Sequence, residues 1–293
     1  MKVYWETHAI NKIASFSKEK QEKILAQIRE FDNFISTITL LEITSTAHKG
    51  DFEGIQRQKE LLGVCKKLSI KDGRVSIFPD YNEILEKEML RVVKNKLFNL
   101  NNYPSLKVAV DYLTTDEIPL EISSRHYSIK KEEEKQWKKL HTEAHKKLLE
   151  KIEEIEEKEN GKGDEKEKIL NPEQFLNLVE SNPLHFFILL FEDTIRDRIM
   201  EIIAETIHAE TIYNESDIWR AFYFAKIYEI ARYGIGHVKE PPQIDEWDIL
   251  QTVYLPFVDI CVVGNDLKKY YSWVAEKAKL KTRINTIDEF IDK

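Results

Sequence analysis

The chain has 293 residues, of which 42% are hydrophobic and 33% charged, and its formal net charge is −8. This hydrophobic fraction is enough for a real core, which excludes a disordered chain, and the negative charge argues against a protein that coats nucleic acid without preference. The two cysteines, Cys65 and Cys261, stand far apart, which excludes a disulfide framework or a zinc knuckle.

Apolar strands alternate with helices in the first third of the chain. Runs of β-branched and aromatic residues indicate strands, and apolar residues spaced three or four apart indicate helices. The predicted elements, in chain order, are a strand at KVYW (2–5), helices near 8–16 and 18–31, a strand that begins FISTITLLEI (34–43) and turns helical around Leu40, a helix over 51–68, a strand at VSIF (75–78) and a helix from 81 to about 98.

The middle of the chain has a different character. Residues 100–128 are mixed, residues 130–168 are rich in Lys and Glu and predict an exposed amphipathic helix or half of a helical hairpin, and residues 172–233 are strongly helical. Within the last of these, the stretch that begins LHFFILLF predicts a largely buried helix.

The end of the chain returns to alternating elements. A helix is predicted over 245–255, an apolar strand over 258–263, a helix over 266–279 and a last strand over 282–287. Continuous apolar strands such as ICVV are typical of a parallel sheet covered on both faces.

We therefore predict a three-layer α/β/α fold with a mostly parallel central sheet and a large helical insertion. Residues 1–99 form the first part of the core, 100–240 the insertion and 241–293 the second part of the core. The N-terminus has too short an apolar run for a signal peptide, and the longest apolar run is shorter than a membrane span. We expect a cytoplasmic protein that makes no use of a membrane.

Four acidic residues lie just after predicted strands or close to them. Glu6 follows the first strand, Glu42 follows the second, Asp248 lies in the helix before the apolar strand, and Asp266 comes directly after that strand. In open parallel sheets, chemistry gathers outside the carboxyl ends of the strands. Carboxylates gathered there without Lys or Arg need a cation, and oxygen ligands favour Mg²⁺ or Mn²⁺.

These acids also have a plainer interpretation. Acids after strands are common helix N-caps, and Asp266 before LKKYYSW is a good N-cap candidate, while Glu6 is equally compatible with a surface acid. Asp259, in the same C-terminal stretch, is given a structural role, capping or bonding a loop.

The order of these residues resembles the PIN-domain (PIN-like) nuclease family. VYWETHAI is similar to the opening of that family, ISTITLLEI to its second acidic motif, and DILQTVYLPFVDICVVGNDLKKYY to its third and fourth. The resemblance covers roughly the first hundred and the last fifty residues. It implies that the metal ligands are Glu6, Glu42, Asp248 and Asp266.

The sequence departs from the family pattern at three places. Glu6 stands where the family usually has Asp, Gln251 stands where it often has His, and Gly264 with Asn265 replaces the Thr expected before Asp266. Because of its position in the motif, Gln251 is a candidate substrate contact. His8, two residues after Glu6, is another. Lys268, just after Asp266, is a third candidate for contact with a phosphate backbone, with an ordinary surface role as the alternative.

The resemblance implies a metal-dependent nuclease that hydrolyses phosphodiester bonds and uses Mg²⁺ or Mn²⁺, with RNA favoured over DNA as the substrate. The alternative is a PIN-like scaffold of weak or no activity that binds a protein partner, or a second copy of itself, through residues 100–240. A third interpretation is a defence or toxin effector whose nuclease is restrained by the insertion or by a second protein.

Overall fold

The computed structural model describes residues 1–94, 103–115, 118–132, 135, 150, 172–203, 208–235 and 246–291. Its centre is a five-stranded sheet in the order β5-β2-β1-β6-β7 in which every pair of neighbours is parallel. The strands of this sheet are β1 (Lys2–Trp5), β2 (Asp32–Ser36), β5 (Ile77–Phe78), β6 (Ile260–Val263) and β7 (Arg283–Thr286).

Side chains alternate across the central strand and divide the core in two. Tyr4 packs into one hydrophobic cluster, whereas Val3 and Trp5 on either side of it pack into the other. Helices cover both faces, as expected for buried parallel strands. The predicted α/β class and parallel sheet are confirmed, and the layering is compatible with the predicted three layers.

Four helices follow the first two strands, and a side-chain cap marks where each of them begins. Ser17 caps α2 by accepting from the Lys20 amide (3.4 Å). The side chain of Glu6 caps α1, that of Ser36 caps α3 by accepting from the Thr39 amide (3.1 Å), and that of Asp51 caps α4. Because of the Ser36 cap, α3 begins about three residues earlier than predicted. The helices are α1 (Thr7–Ser15), α2 (Lys18–Ile28), α3 (Thr37–Ser45) and α4 (Phe52–Ser69).

The segment predicted as one strand at 75–78 contains the end of one short strand, β4, and the whole of the next, β5. A short antiparallel hairpin of β3 (Ile70–Lys71) and β4 (Arg74–Val75) precedes β5. Asp72 and Gly73 both have positive φ, 51° and 75°, as the tight turn of such a hairpin requires. The Asp-Gly pair was a hairpin signal in the sequence that our prediction did not use.

Three helices follow β5. The helix predicted from 81 is α5 (Tyr81–Lys94), and the segment predicted to be mixed contains α6 (Pro104–Thr114) and α7 (residues 120–132). Most of the Lys/Glu-rich segment predicted over 130–168 lies outside the described residues.

The helices after residue 172 share a core with the sheet. Their aromatic side chains join the same hydrophobic cluster as Tyr4 and Phe78. The stretch LHFFILLF was predicted to be largely buried. Among the α9 side chains that the structure describes, residues 183–198, only Phe186, Phe187 and Ile195 are fully buried, and residues 188–191 are partly buried against the same cluster. These elements are α8 (Pro172–Ser181), α9 (Pro183–Ile203), α10 (Ala209–Glu215), α11 (Asp217–Glu229) and a π-helical turn (Ile230–Ile235).

The C-terminal part returns to the sheet. The helix predicted over 245–255 is a short α12 (Glu246–Gln251) followed by a 3-10 segment (Thr252–Phe257) that contains Pro256, a residue that cannot continue an α-helix. Asp259 accepts a hydrogen bond from the Lys2 amide (2.8 Å), which confirms its structural role. The last helices are α13 (Lys268–Lys277) and α14 (Ile287–Ile291).

Among the described residues, no helix has the length and apolar character needed to cross a membrane.

Candidate metal centre

Glu6 joins the ends of two neighbouring strands. It follows β1, and its fully buried side chain accepts a hydrogen bond from the His8 amide (2.7 Å), which caps α1. Its second carboxylate oxygen accepts from the amide of Gly264 (3.3 Å), the residue that follows β6. Glu6 is therefore both a helix cap and a buried carboxylate at the carboxyl ends of two parallel strands.

His8 lies beside this carboxylate. Its Nδ1 is 2.9 Å from Glu6 Oε1 and 4.0 Å from Asp248 Oδ1, and about half of its side chain is exposed. The hydrogen bond to Glu6 raises the pKa of His8 to about 10 against the opposing effect of burial, and the charges of Glu6, Asp248 and Glu42 add to the rise. Without a metal ion, His8 therefore carries a proton at neutral pH and compensates charge among the acids.

Asp248 comes from a distant part of the chain. It is in the first turn of α12 and is only 2% exposed. The Tyr271 hydroxyl donates to its backbone carbonyl (2.9 Å), which ties α12 to α13. The position of Asp248 is thus set by packing between two helices.

Glu6, His8 and Asp248 form the group that we call the acidic triad. Each offers one ligand atom, and these atoms lie within 4.8 Å of one another. Oxygen ligands lie about 2.0–2.6 Å from Mg²⁺ or Ca²⁺, so atoms up to roughly 5 Å apart can share one ion. Two carboxylates and an imidazole suit Mn²⁺ better than Mg²⁺, because imidazole is a ligand of transition metals. Binding through His8 Nδ1 would require the ion to displace the proton.

Glu42 lies next to the triad but is not part of it. Its Oε2 accepts from Thr7 Oγ1 (2.5 Å), and its Oε1 is 3.4 Å from Lys130 Nζ on α7. The expectation that these acids gather without Lys or Arg is therefore wrong for Glu42. Lys130 is 88 residues away in the chain, and no local pattern pointed to it.

The side chain of Gln251 is held inside the protein. It has no exposed surface, its Oε1 accepts from the Tyr4 hydroxyl (2.5 Å), and its Nε2 donates to Glu42 Oε2 (3.4 Å). Gln251 thus forms an internal link that orients Glu42, and a substrate contact at Gln251 stays a prediction.

Asp266 is exposed in the turn after β6 and does not join the triad. It does not cap a helix either, because α13 begins at Lys268 with Leu267 at the N-cap position and no side-chain cap. Lys268 contacts Glu289 through its ammonium group, and a role for it at a phosphate stays a prediction. At this strand end, Gly264 rather than Asp266 makes the contact with Glu6.

Comparison of the chain with protein-family models, with curated proteins and with solved structures finds no match.

Proposed function

We propose that the protein is a PIN-like nuclease that hydrolyses phosphodiester bonds with a divalent ion held by the acidic triad. The observation that carries this proposal is the triad itself. Glu6 and Asp248 are 242 positions apart in the sequence, yet both are buried and lie within 4.8 Å of His8 at the carboxyl ends of parallel strands. Open parallel sheets place their active sites at that position.

The residues would divide the work in the following way. Glu6 and Asp248 would supply charged oxygen ligands, and His8 a nitrogen ligand on the exposed side. A bound divalent ion lowers the pKa of a water molecule and stabilises charge on the phosphate. Glu42, oriented by Thr7 and Gln251, lies beside this position and would accept a proton from the attacking water.

Lys130 gives the site a positive charge despite the net charge of −8. An acidic protein can bind nucleic acid only through such local cations or through bridging metal ions. The preference for RNA over DNA rests on the family resemblance of VYWETHAI, ISTITLLEI and the C-terminal motif.

A scaffold without activity is the second candidate, and one observation favours it. The protonated His8 compensates Glu6, and Lys130 pairs with Glu42, so these two acids have cationic partners without any metal ion. Under this alternative the acids hold α1, α3 and α12 together and have no catalytic role.

The two candidates differ in their response to Mn²⁺. A nuclease should be stabilised by Mn²⁺ through mass action and should cleave a labelled single-stranded RNA only when the ion is present. Asp248→Asn should remove both effects. The matched control is Asp32→Asn, an exposed acid at the opposite end of the sheet, which should keep both. Equal thermal shifts for the two variants would contradict the proposal.

A further inference from the structure

A cavity of about 270 Å³ lies beside the acidic triad. It is open to solvent on one side and is lined by α3, the start of α5, α6, α7 and α12. Apolar side chains such as Ile38, Leu41 and Ala109 form much of its wall, and the half-exposed Val108 lies on its outer side. Its volume is close to the lower end of the range for small-molecule pockets, about 300 Å³.

Aromatic and polar groups also line the cavity. Trp247, Tyr81 and Tyr112 supply rings, and the Tyr112 hydroxyl is 3.0 Å from Nε2 of His126. Ser105, on another part of the wall, accepts a hydrogen bond from the Asp80 amide (2.9 Å). Apolar walls with rings and a few fixed polar groups fit a flat heteroaromatic ligand better than an aliphatic chain or a bare sugar.

Trp247 adds a second observation that points to a ligand. The residue is 3% exposed, and its Nε1 has no hydrogen-bond partner within the described part of the chain. Buried donors in native proteins nearly always have an acceptor, so each exception needs an explanation. This Nε1 is itself buried, so a ligand in the cavity that Trp247 lines would supply the acceptor after a turn of the indole ring that opens Nε1 to the cavity.

Two residues of the cavity wall directly precede acids of the candidate site, Glu42 and the triad member Asp248. Leu41 lines the cavity and is followed by Glu42, and Trp247 lines it and is followed by Asp248. Consecutive Cα atoms are about 3.8 Å apart, so the cavity wall and these acids belong to neighbouring faces of the same two helices, α3 and α12.

A cation lies close to both Glu42 and the wall of the cavity. On α7, His126 lines the cavity. Lys130 lies one helical turn later on the same face and extends towards Glu42. Its Nζ is 3.4 Å from Glu42 Oε1 and 5.8 Å from the centre of the Trp247 ring. This position suits a group that contacts a phosphate whose attached ring enters the cavity.

We propose that the cavity is a nucleobase subsite, which receives the base of a nucleotide whose phosphate lies at Lys130 and the acidic triad. The inference rests on the proposed function, because it names the part of a nucleic-acid substrate that the site would recognise. With its indole ring turned towards the cavity, Trp247 would donate to a ring nitrogen or carbonyl of the base, and Tyr112 and Ser105 would contact its other edges.

The test is calorimetric titration of the full chain, in EDTA, with AMP, GMP, CMP and UMP and with ribose 5-phosphate. At least one nucleotide should bind about tenfold or more tightly than ribose 5-phosphate, because stacking of a base on aromatic rings is a large part of such affinity. Equal affinity for the sugar phosphate and all four nucleotides, or no binding of any of them, would overturn the proposal.

Two tryptophan variants locate the site. Trp247→Phe keeps a ring but removes the donor and should weaken nucleotide binding about fivefold or more. Trp219→Phe is the matched control, because Trp219 is 4% exposed, its Nε1 also has no partner within the described chain, and it packs against Phe187 and Phe191, away from the cavity. Equal effects of the two variants would place the nucleotide elsewhere and refute the subsite.

The design separates this proposal from the nuclease proposal. Binding in EDTA needs neither the metal ion nor cleavage. Nucleotide binding that Trp247→Phe weakens, without Mn²⁺-dependent cleavage, would support the subsite and contradict the nuclease. Mn²⁺-dependent cleavage without base-dependent binding would do the reverse. Ala109→Leu, which fills the cavity, is a further variant, and its thermal unfolding must first show that it folds.

Discussion

Gly264 allows β6 and α1 to approach closely enough for the triad to form, and we expect Gly264→Ala to disturb it. A Cβ atom at this position would lie 2.8 Å from Cβ of His8 and 3.5 Å from its Cγ. Cβ of His8 is fixed to the first turn of α1, so it cannot rotate away as the end of a long side chain can. Either the start of α1 or the end of β6 must move, and the hydrogen bond from the Gly264 amide to Glu6 (3.3 Å) would lengthen.

The size of this effect follows from typical costs of overpacking. Such insertions cost about 1–3 kcal/mol, and in a large domain each kcal/mol lowers Tm by roughly 2–4 °C. We expect Gly264→Ala to lower Tm by about 2–12 °C and to reduce the Mn²⁺-induced shift, both measured by differential scanning fluorimetry.

The control is Gly63→Ala in the middle of α4. A Cβ atom there meets nothing within 4 Å, so the variant should be neutral or more stable by up to about 1 kcal/mol through helix propensity. The two Gly→Ala variants should thus differ in sign. A Gly264→Ala protein as stable as the wild type would refute the close approach that places His8 against β6.

Three further predictions concern the rest of the fold. Burial lowers the pKa of His126, so its neutral form is favoured in the folded state. The free energy of unfolding should therefore fall as the pH drops below about 6.5, the ordinary pKa of histidine in the unfolded chain. Urea titrations at several pH values should show a weaker pH dependence for His126→Gln. Burial raises the pKa of the Cys65 and Cys261 thiols, so neither should react with a thiol reagent until urea unfolds the chain, and fast reaction of the native protein would contradict their position in the core. Asn33 accepts from Trp5 Nε1 (2.8 Å), so Asn33→Ala should cost about 1–3 kcal/mol and lower the urea midpoint, whereas an unchanged midpoint would show that this bond contributes nothing.

The sheet could be predicted because its strands are short, apolar and followed by clear helix signals. KVYW is β1 residue for residue, and the apolar run before Gly264 ends at the predicted residue, Val263. The hairpin before β5 was not predicted, because the two strands that it joins have only two residues each. Its turn residues, Asp72 and Gly73, were the only signal for it in the sequence.

The site was harder to predict because it depends on where each chain segment turns after its strand. Glu6 follows β1 directly and caps α1, so the end of the strand determines its place. Asp266 is three residues beyond β6, where the chain has already turned towards solvent. Lys130 reaches Glu42 through tertiary packing of α7, which no local pattern encodes.

The most direct test of the metal centre is a crystal of the full chain soaked with Mn²⁺ and measured at the manganese absorption edge. The proposal predicts one anomalous peak within about 2.0–2.4 Å of a carboxylate oxygen of Glu6, a carboxylate oxygen of Asp248 and a ring nitrogen of His8. A peak at Asp266 alone, or a triad that keeps its hydrogen bond between His8 and Glu6 with no ion in saturating Mn²⁺, would contradict it.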